Sequence, residues 1–373
     1  MDINGDMKMI IDTPYYEDTT RVSNSSIGWF LKGGPLYFYK MLKGEIEGIK
    51  TSSMDKGTMI HSYILTPEEF QKDYVVWDKS RPTSAQQEKF CQALVSSVEI
   101  EPERAIISAY KEAYSIAGKS EDKMLSEGLK IASTLKDYID FLKENDGRIM
   151  IGHWDVKMLE KIKNNIQSHK LANKIIWPRG IAGRYTLDCP ITTIMYDSFI
   201  GDPAELTFHE FHINWEYLSP YGEEGEQPTI PNTSGVYGLK CKSLLDGLTL
   251  DFKNKKAIIY DLKTTQKLWH FEDSIDQYDY CRQLMYYTLA VEWYLDNECN
   301  EDYNNWSFEY YIIGIDTTGS YEIRVFKVEP YMVQSRKHVI YDALDAIAWH
   351  QMNNKWDHSR DYYEGDGSET LEL

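Results

Sequence analysis

The stretch KAIIYDLKTT, Lys256–Thr265, begins as the interior of a sheet and ends in charge. Ile258, Ile259 and Tyr260 are strand formers. Asp261 and Lys263 follow at i and i+2, a spacing that sets both side chains on one face of a strand. A buried face accepts an Asp and a Lys side by side only when they have a partner or a task.

The residues just upstream offer a partner. DFKNKK (Asp251–Lys256) reads as a turn centred near Lys253-Asn254, joining LLDGLTLD (Leu244–Asp251) to the next strand as a hairpin. Asp246 and Asp261 are equidistant from that turn. A symmetric hairpin therefore sets them opposite each other, with Cβ atoms about 4.5–5.5 Å apart. Two carboxylates so close repel and raise each other's pKa. A divalent cation removes the conflict by taking both as oxygen ligands, and Lys263 then stands beside it. Such a group suits phosphodiester cleavage: the cation polarises the phosphate and activates water, while the ammonium orients that water or neutralises developing charge. A surface Asp–Lys pair with an unrelated strand Asp fits the hairpin alone equally well.

The 373 residues are enough for one elaborated domain or two, and 42% hydrophobic with 27% charged residues marks a soluble globular chain. No apolar run reaches membrane-spanning length. The acidic first twenty residues lack the basic and apolar regions of a secretory signal, so a cytoplasmic protein is expected. Cys91, Cys189, Cys241, Cys281 and Cys299 form no C-x-x-C pair, which fits free thiols and argues against zinc or an iron–sulfur cluster. A net charge of −19 weighs against a protein that coats DNA, and less against a metal-dependent enzyme with local basic strips. Lys240, Lys242, Lys253, Lys255, Lys256 and Lys267 are candidates for such a strip; a solvated hairpin surface is the better account of Lys255 and Lys256.

Along the chain, residues 1–20 read as an irregular leader and Ser23–Leu42 as an apolar helix broken at Gly33-Gly34-Pro35. Met59, Ile60, Tyr63 and Ile64 give the next helix its apolar face. Residues 84–172 read as a string of helices, opening with a capping box at Ser84 and Gln87. From Tyr185 the pattern turns to strands, interrupted by a long helix over about 274–297 and followed by a hairpin turning at Thr318-Gly319. A last helix runs from Pro330 to about Lys355. The fold class is α/β (α+β): a mixed central sheet flanked by helices, with a helical insertion over about 76–178. One domain over 21–358 is expected, with its catalytic β-core at about 181–329 and an acidic, disordered tail at 359–373.

Four separated pieces, in order, resemble the PD-(D/E)XK nuclease superfamily, and within it the phage recombination exonucleases of the exonuclease VIII and lambda type. They are KGTMIHSYIL (Lys56–Leu65), like the family's Gly-Thr-x-x-His helix; LLDGLTLD with Asp246; YDLKTT with Asp261-Leu262-Lys263; and RQLMYY (Arg282–Tyr287), a Gln-x-x-x-Tyr motif. A weaker fifth match is HEFHINW, where Glu210 falls at an acidic position one strand upstream. The proline of the family name is replaced by Leu245, and His209 and His212 beside Glu210 fit no metal arrangement.

The resemblance implies a restriction-endonuclease-like core and a Mg²⁺ site, with Mn²⁺ substituting and no iron–sulfur cluster. Asp246, Asp261, the Leu262 carbonyl and His61 would be ligands, with Glu210 a further, weaker-matched metal residue; Lys263 would position the attacking water; Gln283 and Tyr287 would contribute to the active-site surface and contact DNA. It further implies an exonuclease on linear double-stranded DNA with a free end, cutting 5′→3′ in the cytoplasm (the host's, if phage-encoded). Its product would be 3′ single strands for a single-strand annealing recombinase, and homo-oligomers enclosing the DNA would give processivity. A structure- or sequence-specific endonuclease and a catalytically idle binding scaffold are the rival functions.

Overall fold

A computed structural model describes residues 15–48, 51–99, 101–144, 147–178, 205–219 and 237–369. The chain forms two compact units, Met1–Thr66 with Lys161–Leu373, and Pro67–Glu160.

In the first unit, helix α1 (Asn24–Leu42) starts from a reciprocal cap. Ser23 Oγ accepts from the Ser26 N–H, and Ser26 Oγ accepts from the Ser23 N–H. The Gly-Gly-Pro sequence expected to break this stretch kinks it instead: Gly34 takes φ 72° and the helix resumes. Helix α2 (Ser52–Leu65) is capped by Thr51 and buries Met59, Ile60, Ile64 and Leu65.

The second unit is mostly helical: α3 (Pro67–Asp73), α4 (Ala85–Val95), α5 (Pro102–Ala113), α6 (Glu121–Thr134) and α7 (Lys136–Lys143). Phe90, Ile106, Tyr110, Met124 and Tyr138 form its core, and two short strands, β1 (Tyr74–Val76) and β2 (Ile149–Ile151), pair in parallel. Ser84 caps α4 by accepting from the Gln87 N–H, but Gln87 reaches back to Thr83 rather than to Ser84.

Helices α8 (His153–Ser168) and α9 (Lys170–Ile176) precede the main sheet in sequence. That sheet runs in the order β3 (Glu205–Ser219), β4 (Tyr237–Asp251), β5 (Lys256–Thr265), β6 (Ser307–Asp316), β7 (Ile323–Val328). Neighbours are antiparallel except β5 and β6, which are parallel. A parallel pair needs a crossover, and here α10 (Phe271–Gln277) and α11 (Tyr280–Asn297) supply it. The expected mixed α/β architecture is therefore present. Leu248, Leu250, Ile259 and Ile312 of the sheet and Leu284, Met285 and Val291 of α11 share one apolar core. After α12 (Pro330–Gln334), α13 (Lys337–Asn353) adds Ile340, Leu344 and Ile347 to it.

Two segments add structure that was not expected. Val22, just past the 1–20 leader, bridges Cys241 on β4, exchanging hydrogen bonds with Lys240 and Lys242. Within the acidic tail, α14 (Arg360–Glu364) forms because Ser359 caps it and Glu364 accepts from Trp349 Nε1 at 2.8 Å.

Candidate active site

The β4–β5 hairpin has the expected register. Asp251 faces Lys256, and pairing continues to Gly247 opposite Tyr260, where it stops. The next step along the same register sets Asp246 against Asp261. There Asp246 takes over from the backbone: its Oδ2 accepts from the Leu262 N–H at 2.7 Å. In a strand the N–H and C=O of one residue point to the same edge, so the Leu262 carbonyl is turned toward this split as well.

The other side of β4 is interrupted at the same level. His209 faces Gly247 and Phe211 faces Leu245, so Glu210 falls beside Asp246. Glu210 takes φ 47°, a left-handed conformation costly for a residue with a Cβ. Glu210, Asp246 and Asp261 thus occupy one row across three strands, and the ladder is broken at that row on both sides of β4.

Glycines let the neighbours close in. A Cβ on Gly247 would lie 1.9 Å from Tyr260 Cζ, so the Tyr260 ring lies directly over residue 247. A Cβ on Gly57 would lie 3.2 Å from Thr264 Oγ1, which marks the close approach of α2 to β5. His61 is one turn beyond Gly57, on the same helix face. Its Nδ1 is 3.5 Å from Asp246 Oδ2. Candidate ligand atoms of His61, Glu210 and Asp246 all lie within 4.8 Å of one another. One imidazole and two carboxylates converging in this half-buried split fit a divalent cation.

Asp261 stands just outside that triad and is committed elsewhere. Its Oδ1 accepts from Gln283 Nε2 at 2.8 Å, and its Oδ2 lies 2.5 Å from Lys263 Nζ. Gln283 Nε2 also donates to the Tyr287 hydroxyl at 2.8 Å. Tyr287 is buried, so Gln283 and Tyr287 hold Asp261 from inside the protein. Glu210, the weaker fifth sequence match, sits in the donor triad, whereas Asp261 of the D-x-K match pairs with Lys263.

The electrostatics follow from burial. Glu210 is pushed up to about 8, first by desolvation and then by the Asp246 charge. Desolvation and the Asp246 charge also raise Asp261 to about 6 against the pull of Lys263. For Asp246 burial opposes ionisation, but His61, Lys263 and the Leu262 N–H outweigh it and hold its pKa low. His61 and Lys263 are raised: burial disfavours their charge, and the neighbouring carboxylates more than restore it. Near neutral pH one carboxyl of the row therefore keeps its proton until a further positive charge arrives.

Other features had little or no signal in the sequence. Tyr15, from the leader, lies edge-on to His212 at 5.1 Å, and burial, Tyr16 and Glu210 push its hydroxyl upward. The Tyr260 hydroxyl is buried with no hydrogen-bond partner among the described residues. His209 serves packing: its ring nitrogens lie 3.1 Å from the Leu65 carbonyl and 2.9 Å from that of Ile176. Three of the six candidate strip lysines are engaged within the protein. Lys255 pairs with Glu301, Lys256 with Glu309, and Lys242 is buried against the Tyr15 and Asp18 carbonyls. Among the described residues no helix is long and apolar enough to cross a membrane.

No family model matches this chain, and no curated protein matches it either. Among solved structures it is similar to a protein of Eubacterium rectale named "Putative exonuclease", at 14% identity and a TM-score of 0.44, covering 98% of this chain and 96% of that one. A likeness of that size leaves the activity to be argued from the site's own chemistry.

Proposed function

We propose that this chain is a divalent-cation-dependent nuclease that hydrolyses phosphodiester bonds of DNA. The observation that carries the proposal is the convergence of half-buried His61 and Glu210 with buried Asp246 beside the Asp261–Lys263 pair. His61, Glu210 and Asp246 would hold the cation, with the Leu262 carbonyl at the same edge. Magnesium is the proposed ion, with manganese substituting, because carboxylate donors suit hard cations. When bound, the cation would polarise a phosphate oxygen and acidify a water.

The remaining roles belong to the chain itself. Lys263 is kept protonated by Asp261 and Asp246, so it acts as a positive donor toward the water or the phosphate and takes no proton. Asp261, with a pKa of about 6, is the adjacent carboxylate able to accept one. Gln283 and Tyr287 fix the direction of Asp261 by hydrogen bonding.

The finer proposal follows the family resemblance: digestion of linear duplex from an end, 5′→3′, as a ring of copies that passes a 3′ strand to an annealing recombinase. The test is a Mg²⁺ time course on end-labelled linear duplex, with covalently closed circular DNA and Asp261→Ala protein in parallel. The expected result is loss of the linear duplex, an intact circle and an inactive variant. Cutting of the circle would replace the exonuclease with an endonuclease; an Asp261→Ala variant as active as wild type would remove the site itself.

A further inference from the structure

Sheet register carries the catalytic face beyond Lys263. Lys263 faces Gly314 on β6, and Gly314 faces Arg324 on β7. Residues paired in this way share a sheet face. Lys263 and Arg324 therefore lie two strands apart, about 10 Å, on one side of the sheet. Gly314 between them has no side chain. Leu268 fills the space, its Cδ1 lying 2.7 Å from where a Gly314 Cβ would be.

Leu268 is buried and anchors the turn Leu268–His270, and the residue that follows it, Trp269, is 72% exposed. The Arg324 guanidinium carbon sits 3.3 Å from the Trp269 ring centroid, while Arg324 Nε donates to Glu322 at 3.1 Å. The guanidinium is thereby held flat on one indole face, and most of the ring remains open to solvent. Exposed Lys267 precedes it.

A second aromatic series runs from the catalytic lysine to the same connection. Lys263 Nζ is 5.1 Å from the Tyr280 ring centroid. Tyr280 stacks with Phe271 and with Tyr278 at interplanar angles of 26° and 23°. Tyr278 is 59% exposed. Between the two tyrosines Asp279 adopts φ 48° and caps α11, and Arg336 Nε donates to it at 2.9 Å. The whole 267–280 connection is thus fixed from below while two aromatic side chains face water. Packing of this unit does not require either ring to be exposed.

We propose that Trp269, flanked by Arg324 and Lys267 and accompanied by Tyr278, is a stacking platform for unpaired nucleobases of single-stranded DNA next to the catalytic centre. Aromatic faces with adjacent cations are what single strands bind without regard to sequence. Bases inside a duplex are already stacked on both sides, so the platform selects the unpaired strand at a frayed or resected end. At a stacking rise of about 3.4 Å per nucleotide, the roughly 10 Å between the Lys263 and Arg324 positions corresponds to roughly three nucleotides. This proposal deepens the nuclease reading and rests on it for the identity of the ligand.

The test uses the full chain in EDTA, with a fluorescein-labelled twelve-residue oligothymidylate and a blunt hairpin duplex as probes for anisotropy titration. Trp269→Ala is expected to weaken oligothymidylate binding roughly five- to tenfold, with the duplex little affected. Trp269→Phe is expected to restore most of the loss. Unchanged oligothymidylate binding in Trp269→Ala, or equal weakening for both probes, would overturn the platform. Wild-type hydrolysis of linear duplex in Mg²⁺ scores the nuclease reading separately. An inactive wild type whose oligothymidylate binding depends on Trp269 would keep the platform and discard the nuclease.

Discussion

The two ends of the β4–β5 hairpin are built on opposite principles. At the turn end Leu248, Leu250, Ala257 and Ile259 are fully buried and every residue from 247 to 251 has a ladder partner. At the other end the ladder stops, an aspartate side chain stands in for a backbone carbonyl, and three carboxylates collect in one row. The first arrangement maximises apolar burial and backbone hydrogen bonding. The second gives up both and leaves ionisable groups stripped of water, which is the condition under which a cation binds strongly. One hairpin thus supplies the rigidity at one end that the charged end needs.

Breaking the charged end gives the largest expected effect. Asp246→Asn preserves shape and an acceptor for the Leu262 N–H but removes the charge between His61 and Lys263. Phosphodiester hydrolysis is expected to fall on the order of 10³-fold, with little change in the denaturation midpoint. A variant that hydrolyses DNA at the wild-type rate would refute the site. At the turn end the pattern reverses: Leu250→Ala should cost about 2–5 kcal/mol of stability by urea denaturation, while the activity of the folded fraction is retained.

Gly247→Ala tests the boundary between the two ends. Its Cβ would collide with the Tyr260 ring, and the overpacking should cost roughly 1–3 kcal/mol. Combining it with Tyr260→Ala should recover part of that loss; strict additivity in a double-mutant cycle would mean the two do not touch.

The most gradual effect is a pH slope. Glu210 keeps its proton in the fold up to about pH 8, whereas an unfolded glutamate loses it near 4.5. The folded state therefore binds more protons between those values, and cation-free stability should decline as pH rises from about 4.5 to 8. Glu210→Gln should flatten that slope. Cation affinity measured by calorimetry should strengthen across the upper part of the window, because binding displaces the Glu210 proton. A wild-type slope unchanged by Glu210→Gln would show that the proton sits elsewhere.

Much of this was legible in the sequence, for physical reasons. The i, i+2 spacing of Asp261 and Lys263, the symmetric turn and the i, i+4 spacing of Gln283 and Tyr287 are local periodicities, and local periodicity survives folding. What stayed hidden depends on residues distant in sequence. Nothing in LLDGLTLD announces that pairing ends at Gly247 and that the Asp246 side chain takes the Leu262 N–H beyond it. HEFHINW reads as an ordinary strand, and the left-handed Glu210 is imposed by the interrupted row. The Trp269–Arg324 stack joins residues of two different strand ends and leaves no pattern in either. Nor does a charge count reveal that Glu301 and Glu309 come to meet Lys255 and Lys256, or that Lys242 turns to the Tyr15 and Asp18 carbonyls.

The bridge between Val22 and Cys241 has a consequence for biosynthesis. Its two sides are separated by more than half the chain. At about 5–20 residues per second a ribosome needs roughly 10–40 s to make the intervening residues. During that interval the segment around Val22 has no strand to join, and the first half of β4, which β5 does not reach, keeps an unpaired edge until that segment docks. The two partners of this bridge are thus open to intermolecular strand pairing until β4 has been made and the bridge closes.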